Sequence, residues 1–532
     1  MVVATGYETG EAHWRAEAVR WHGEAKRLGA ENKALRAKVT ALSEKVATLA
    51  KLVFGRSSER KSPASPAYED VALGTQDGSR RRRGQQPGSH GHRRRDYSGL
   101  ETVEEIHDVG EQERVCPGCG AAYAPFGQET SEQINWQVRI VRVIHRRPTY
   151  RRTCRCPVPG VLAAPVPPKP IRKGMFTAEF LARLLVEKYV LGRPLERVVA
   201  MLEADGLCVA KGTLVGSLRA LSDLLAPLDQ GIRARNAHSA HLHVDETSWR
   251  VFEQVAGKAN NRWWLWVFVA PDTTVFLIDP TRSTKVVEAH LGIEVEQGCL
   301  QDGRRLLVSS DFFTVYQRLA TIEGVDPLWC WAHIRRYFIR AADAHKELKG
   351  WAAAWLERIG ALYVAHRTLA AVQAGSAEHD EATADLAHAL GQIDVMRQQE
   401  AADVSLHPGA GKVLATLDHE WEGLIRHQEF PELPLDNNAA ERALRGPVVL
   451  RKNCYGSGSA WAATLAARVW TITTTAKRAG LNPLAYLIAY LNACASAGGG
   501  PPTGRALDRF FPWALSEADL AAWSNPAPGP AP

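Results

Sequence analysis

The chain has 532 residues, too many for one hydrophobic core, so roughly three or four folding units are expected. Apolar residues at 45% and charged ones at 23% exclude a disordered or fibrous protein, and a formal net charge of +7 suits a polyanionic partner. The opening MVVATGYETGEAHW lacks a basic start followed by an apolar run, and nothing nears the ~20 apolar residues of a membrane span. A soluble, cytoplasmic protein without a membrane partner is expected, with its nine cysteines as reduced thiols or metal ligands.

The first predicted element is a leucine-zipper coiled coil over 11–54. Trp21, Leu28, Leu35, Leu42 and Leu49 recur every seven residues, with Ala25, Asn32, Val39, Val46 and Val53 four places after each. Leu at one seam position and Val at the other favours two parallel strands, and a single buried Asn fixes register, so a homodimer or higher assembly is expected. Residues 55–107 follow as a basic linker. Arg80, Arg81, Arg82, Arg83, Arg93, Arg94 and Arg95 put seven guanidiniums inside sixteen residues, an arm suited to DNA phosphates.

Over 108–160, Cys116 and Cys119 form a CPGC knuckle, and Cys154 and Cys156 return on a strand-like segment. Four convergent thiolates make a structural zinc site, which a unit with so little core of its own needs. Residues 170–235 read as helices, and RPLERVVAMLEADGLCVAKGTLVGSLRAL has the rhythm of a helix-turn-helix whose second helix opens at Lys211, offered to DNA.

From residue 241 the pattern turns to strands. HLHVDETSWRVFEQV, NRWWLWVFVAPDTTVFLIDP and RLLVSSDFFTVY are rich in β-branched and aromatic residues, the first two separated by a hairpin-like AGKANN. Asp245 lies inside the first strand and Asp311 at the end of the last, and a carboxylate so placed is costly to bury without a metal or a partner. Further on, LDNNAAERALR starts a helix, with Asp436, Asn437 or Asn438 as cap and Glu441, Asn437 and Arg445 sharing a face. Glu246 and Asp436 are rival carboxylates; Asp436 is about 140° round a helix from Glu441 and serves better as the cap. Two strand aspartates and a helix glutamate, brought together, are the hard ligands that phosphoryl transfer with two Mg²⁺ or Mn²⁺ ions requires.

Taken in order, LVFGRSSER, the CPGCG and CRC pair, HVDETSWRV, CWAHIRRYF and LDNNAAERALRGPVVLRKN resemble the transposases of the insertion sequence 66 family over nearly the whole chain. The resemblance implies a DDE-type transposase: an α/β, ribonuclease-H-like mixed sheet over 236–342 and 425–460, a helical insertion over 343–424, and a C-terminal helical region and tail over 461–532. It implies Asp245, Asp311 and Glu441 as catalytic residues holding two Mg²⁺ or Mn²⁺ ions, with His333, Asn437 and Arg445 as neighbours. Arg442, Arg451 and Lys452 add basic contacts to DNA. The segment SDFFTVY departs from the family's usual DxYxGY stretch, which makes Asp311 the least anchored of the three. Element ends, target DNA and accessory proteins of the same element are the implied partners, with the protein on the nucleoid when bound. A catalytically inactive DNA-binding regulator and another ribonuclease-H-like nuclease are the alternatives.

Overall fold

The computed structural model describes residues 161–524 apart from 255–259, 294–297 and 301–302, together with 139–151, residue 153 and scattered positions before them. Nearly all of the heptad stretch, the seven clustered arginines, Cys116, Cys154 and Cys156 lie outside the described residues, while Cys119 is described and exposed. The chain divides into two units. In the unit of Arg60–Ala164, Met201–Cys208 and Ser524–Pro532, strands β1 (Thr149–Arg151) and β2 (Val161–Ala163) pair antiparallel, and Arg147 donates to the Ala164 carbonyl at 2.7 Å. Residues 139–148 have no regular structure.

The larger unit carries the sheet. It begins with α1 (Ala178–Leu185), capped by the Thr177 hydroxyl and prolonged by a π-helical turn, Val186–Val190. α2 is Leu195–Ala204, of which the residues from Met201 on belong to the other unit, and α3 (Lys211–Ala237) of the larger unit runs for 27 residues. Leu214, Leu218, Leu221, Leu225, Leu228 and Ile232 recur at helical spacing and are buried. The helix expected to read DNA therefore spends most of its length on core packing, and Lys211 forms an ion pair with Glu196.

Strands β3 (His241–Arg250), β4 (Arg262–Val269) and β5 (Thr274–Asp279) form an antiparallel meander. Helix α4 (Thr284–Leu291) leads to β6 (Leu306–Ser310), and α5 (Thr314–Leu319) to β7 (Val325–Trp329). β6 pairs parallel with β3, placing His243 beside Ser309, and β7 pairs parallel with β6. The order β5-β4-β3-β6-β7 is a five-strand mixed sheet, compatible with the ribonuclease-H-like core expected from the sequence. β4 reads RWWLWVFV because it is an interior strand with almost no solvent-facing side.

Helices α6 (Trp331–Ala344), α7 (Lys349–Ala371), α8 (Ala377–Ala401), α9 (Pro408–His419) and α10 (Trp421–Ile425) follow, as the Ala- and Leu-rich composition of 343–424 predicts. Phe338 stacks on Trp355 at 4.8 Å to join α6 to α7. Then come α11 (Asn438–Cys454), α12 (Ala460–Arg478) and α13 (Pro483–Ser496). α12 packs on α3 and β5. Its Thr471 and Thr475 hydroxyls accept from the amides of Phe276 and Thr274 at 2.9 and 3.0 Å, covering the β5 edge that would otherwise invite another strand. No helix among the described residues is long and apolar enough to cross a membrane.

Candidate active site

Helix α11 is tied along β3 at three levels. At its start the Asn437 amide donates to the Val244 carbonyl at 2.7 Å, and its oxygen meets His243 Nδ1 at 3.1 Å. In its last turn Arg451 donates to the Thr247 hydroxyl at 3.0 Å and to the Ser248 carbonyl. Just beyond the helix, Ser457 donates its amide to the Arg250 carbonyl at 2.8 Å and accepts from the Trp249 indole at 3.1 Å. Gly456 makes that last approach possible: its φ is 145°, and a Cβ would lie 2.1 Å from the Arg250 oxygen. These ties hold the first turn of α11, which carries Glu441, along β3, and the charge of Glu441 reaches Asp245 of that strand.

Two further links bring in the CWAH segment. The Trp331 amide donates to the Leu435 carbonyl at 2.9 Å, and the Asn437 amide to Cys330 Sγ at 3.2 Å. The start of α6 is thereby held against the start of α11. His333 Nε2 stands 3.8 Å from Glu441 Oε1 and Arg336 Nη2 3.3 Å from the same oxygen. Asp311 follows β6, the parallel neighbour of β3, and its Oδ1 accepts from the Phe313 amide at 3.0 Å.

The charges of these groups reach one another. Burial first, then the neighbouring carboxylates Glu246, Asp311 and Glu441, push Asp245 up to about 8, against the one opposing bond from the Glu246 amide to its Oδ1. Burial and then the Arg336 charge hold His333 below the ordinary imidazole value, while Asp311 and Glu441 oppose them. His333 Nδ1 is buried without a hydrogen-bond partner among the described residues.

Glu246, the rival next door, is already engaged. Arg282 donates to its Oε1 through Nε at 2.8 Å and through Nη2, and the Tyr316 hydroxyl donates to its Oε2. Arg282 in turn lies over the rings of Trp264 and Phe313. Asp436 accepts from the Asn438 amide at 3.0 Å, so it does help to start the helix, although the cap position itself is Asn437.

Several expected roles change. Asn437 does not steady Glu441 directly; its amide is spent on β3, because a buried backbone carbonyl there needs a donor. Arg451, expected on DNA, is bonded to β3, and Lys211 is paired with Glu196. Arg442, Arg445 and Lys452 are exposed. Sequence reasoning missed His243, Arg282, Tyr316 and Arg336, whose partners are distant in the chain. For Arg336 the spacing His333–Arg336 on a helix was a usable signal.

One group of three metal-ligating side chains among the described residues lies within a mutual 4.8 Å, and it is elsewhere: His345, Glu347 and His407. His407 Nδ1 accepts from the Gly409 amide at 3.0 Å as the cap of α9, and its Nε2 lies 3.3 Å from Glu347.

The fold and site together define a mixed α/β protein with an acidic cluster where two adjacent parallel strands meet a helix. The sequence model of the family described as "Transposase IS66 family" matches residues 173–465, and the chain belongs to that family. The uncharacterized proteins y4jD, y4qI and y4hP of Sinorhizobium fredii (strain NBRC 101917 / NGR234) are 27%, 26% and 24% identical to it. These alignments cover 76%, 77% and 79% of this chain and 78%, 76% and 76% of the relatives. No solved structure matches the chain.

Proposed function

We propose that the chain is a DDE-type DNA transposase with a ribonuclease-H-like core, in which Asp245, Asp311 and Glu441 hold two divalent ions. The observation that carries this reading is the lashing of α11 along β3, which supports bringing Glu441 into charge range of Asp245, with Asp311 just after the neighbouring strand. Membership of the transposase family supports the DNA substrate and the use of divalent metal.

The donor set fits the ions. All three groups are hard oxygens suited to Mg²⁺ or Mn²⁺, and the like charge around Asp245 is what bound cations would relieve. Ions held there would activate the attacking oxygen and stabilise the leaving one. The chain's own residues do the rest. Asn437, Arg451 and Ser457 keep Glu441 in register, and Arg282 with Tyr316 withdraws Glu246 from competition. His333 presents its Nε2 to Glu441. Arg442, Arg445 and Lys452 offer solvent-facing charge to DNA phosphates.

Beyond the core, the zipper of 11–54 would pair protomers so that two element ends are held together. The arginine arm would supply backbone affinity, and Cys116, Cys119, Cys154 and Cys156 would hold a structural zinc ion. The reaction would take place on chromosomal DNA in the cytoplasm, with accessory proteins of the same element as further partners.

The test is strand transfer by purified protein on duplexes carrying the element's own ends, with Mg²⁺ or Mn²⁺. Asp245→Ala, Asp311→Ala and Glu441→Ala should each lower joining at least ~100-fold, more than loss of an outer-shell partner costs, with DNA binding retained. Joining that survives Glu441→Ala would remove α11 from the site.

A further inference from the structure

Helix α6 carries more than His333. His333, Arg336, Tyr337 and Arg340 stand at i, i+3, i+4 and i+7, which puts them along one face. That face borders the acidic cluster, through Arg336 on Glu441 and through Phe312, the residue after Asp311. The Phe312 ring centre is 6.1 Å from that of Tyr337, with planes 34° apart, and 6.5 Å from that of His333. Both rings are half-buried. Arg336 is 43% exposed along its side chain, and Arg340 is exposed, its guanidinium 6.0 Å from the Tyr337 ring centre.

Two partly open rings flanked by the half-exposed Arg336, which is paired with Glu441, and the exposed Arg340 match the make-up of a groove for an unpaired strand, where cations track phosphates and rings take the faces of bases. A base inside a duplex has both faces stacked already and cannot use those rings. An acidic protein segment would satisfy the arginines but leave the rings without purpose. A half-exposed ion pair is weak, so Arg336 can exchange Glu441 for a phosphate.

We infer that this face of α6 seats the DNA strand next to the reacting phosphate, with Arg336 and Arg340 on its backbone and an unpaired base against Tyr337 and Phe312. The inference rests on the transposase reading for the identity of its ligand. No part of the zipper, the arginine arm or the cysteine unit is needed for it.

The experiment uses the full chain in EDTA, so that binding is read apart from the reaction, with a short labelled oligothymidine and a blunt duplex as probes. Tyr337→Leu should weaken oligothymidine binding about tenfold and duplex binding less than about twofold, and Tyr337→Trp should restore it. Arg340→Gln should weaken both probes and lower the salt slope on the single strand by about 0.7, with Arg340→Lys keeping the slope. Photocrosslinking of an iodouracil-substituted oligonucleotide should give adducts on Tyr337 or Phe312. Matched melting curves show that each variant is folded.

Equal loss on both probes in Tyr337→Leu, an unchanged slope in Arg340→Gln, or adducts confined to other regions would overturn the seat. So would competition by oligoglutamate that Tyr337→Leu leaves untouched, which would put an acidic protein segment on this face. Strand transfer by the wild type separates the two readings. A wild type that binds as described yet never joins DNA sinks the transposase reading and leaves the seat standing. A wild type that joins DNA, with the α6 variants binding and joining as well, sinks the seat alone.

Discussion

The seam between α11 and β3 and the carboxylate cluster beside it use similar residues to opposite ends. In the seam, Asn437, His243, Arg451, Ser457 and Trp249 are paired with one another or with backbone, and Asn437 is almost wholly buried. In the cluster, burial and the charges of Glu246, Asp311 and Glu441 all disfavour the ionised form of Asp245, against one bond from the Glu246 amide. The seam stores the order and the cluster stores the cost. A protein can keep like charges close only where the elements bearing them are fixed by bonds that do not depend on those charges.

Breaking the seam should have the largest effect. Asn437→Ala leaves the Val244 carbonyl and His243 without their partner, and should cost about 2–5 kcal/mol in denaturant unfolding. Its loss of joining activity should exceed what the fraction unfolded explains, because Glu441 would lose its register.

Relieving the cluster should act in the other direction. The folded pKa of Asp245, about 8, lies above the ~3.9 of an unfolded aspartate, so the native form keeps a proton that the unfolded chain releases. Stability of the metal-free protein therefore falls as pH rises from about 4 to about 8. Asp245→Asn should remove that slope, becoming increasingly more stable than the wild type across the window, and added Mg²⁺ should narrow the difference. Parallel pH–stability curves for the two proteins would contradict the placement of Asp245 among like charges.

A smaller change sharpens the contrast between Asp245 and its neighbour. Tyr316→Phe deletes one bond to Glu246 while Arg282 remains, and should cost about 1 kcal/mol. The smallest folding effect belongs to Arg445→Ala, an exposed residue with no partner among the described residues. Its stability should stay within about 0.5 kcal/mol, while the salt slope of duplex binding drops by about 0.9.

By itself the sequence determined what local pattern can encode. The alternation in HLHVDETSWR, the apolar run of β4, the helix start at LDNNAAER and the helical composition of 343–424 each appear in the structure as strand or helix. Only the tertiary structure decided which of two adjacent acids stays open. Glu246 is closed by Arg282, 36 residues on, and by Tyr316, 70 residues on. Asn437 and Arg451, expected near the reaction or on DNA, turned inward because β3 presents a carbonyl and hydroxyls that lie about two hundred residues earlier in the chain. Periodicity and capping act over a few residues and leave a mark in the sequence. A bond across that distance leaves none, and it is made or not by how the sheet and its helices pack.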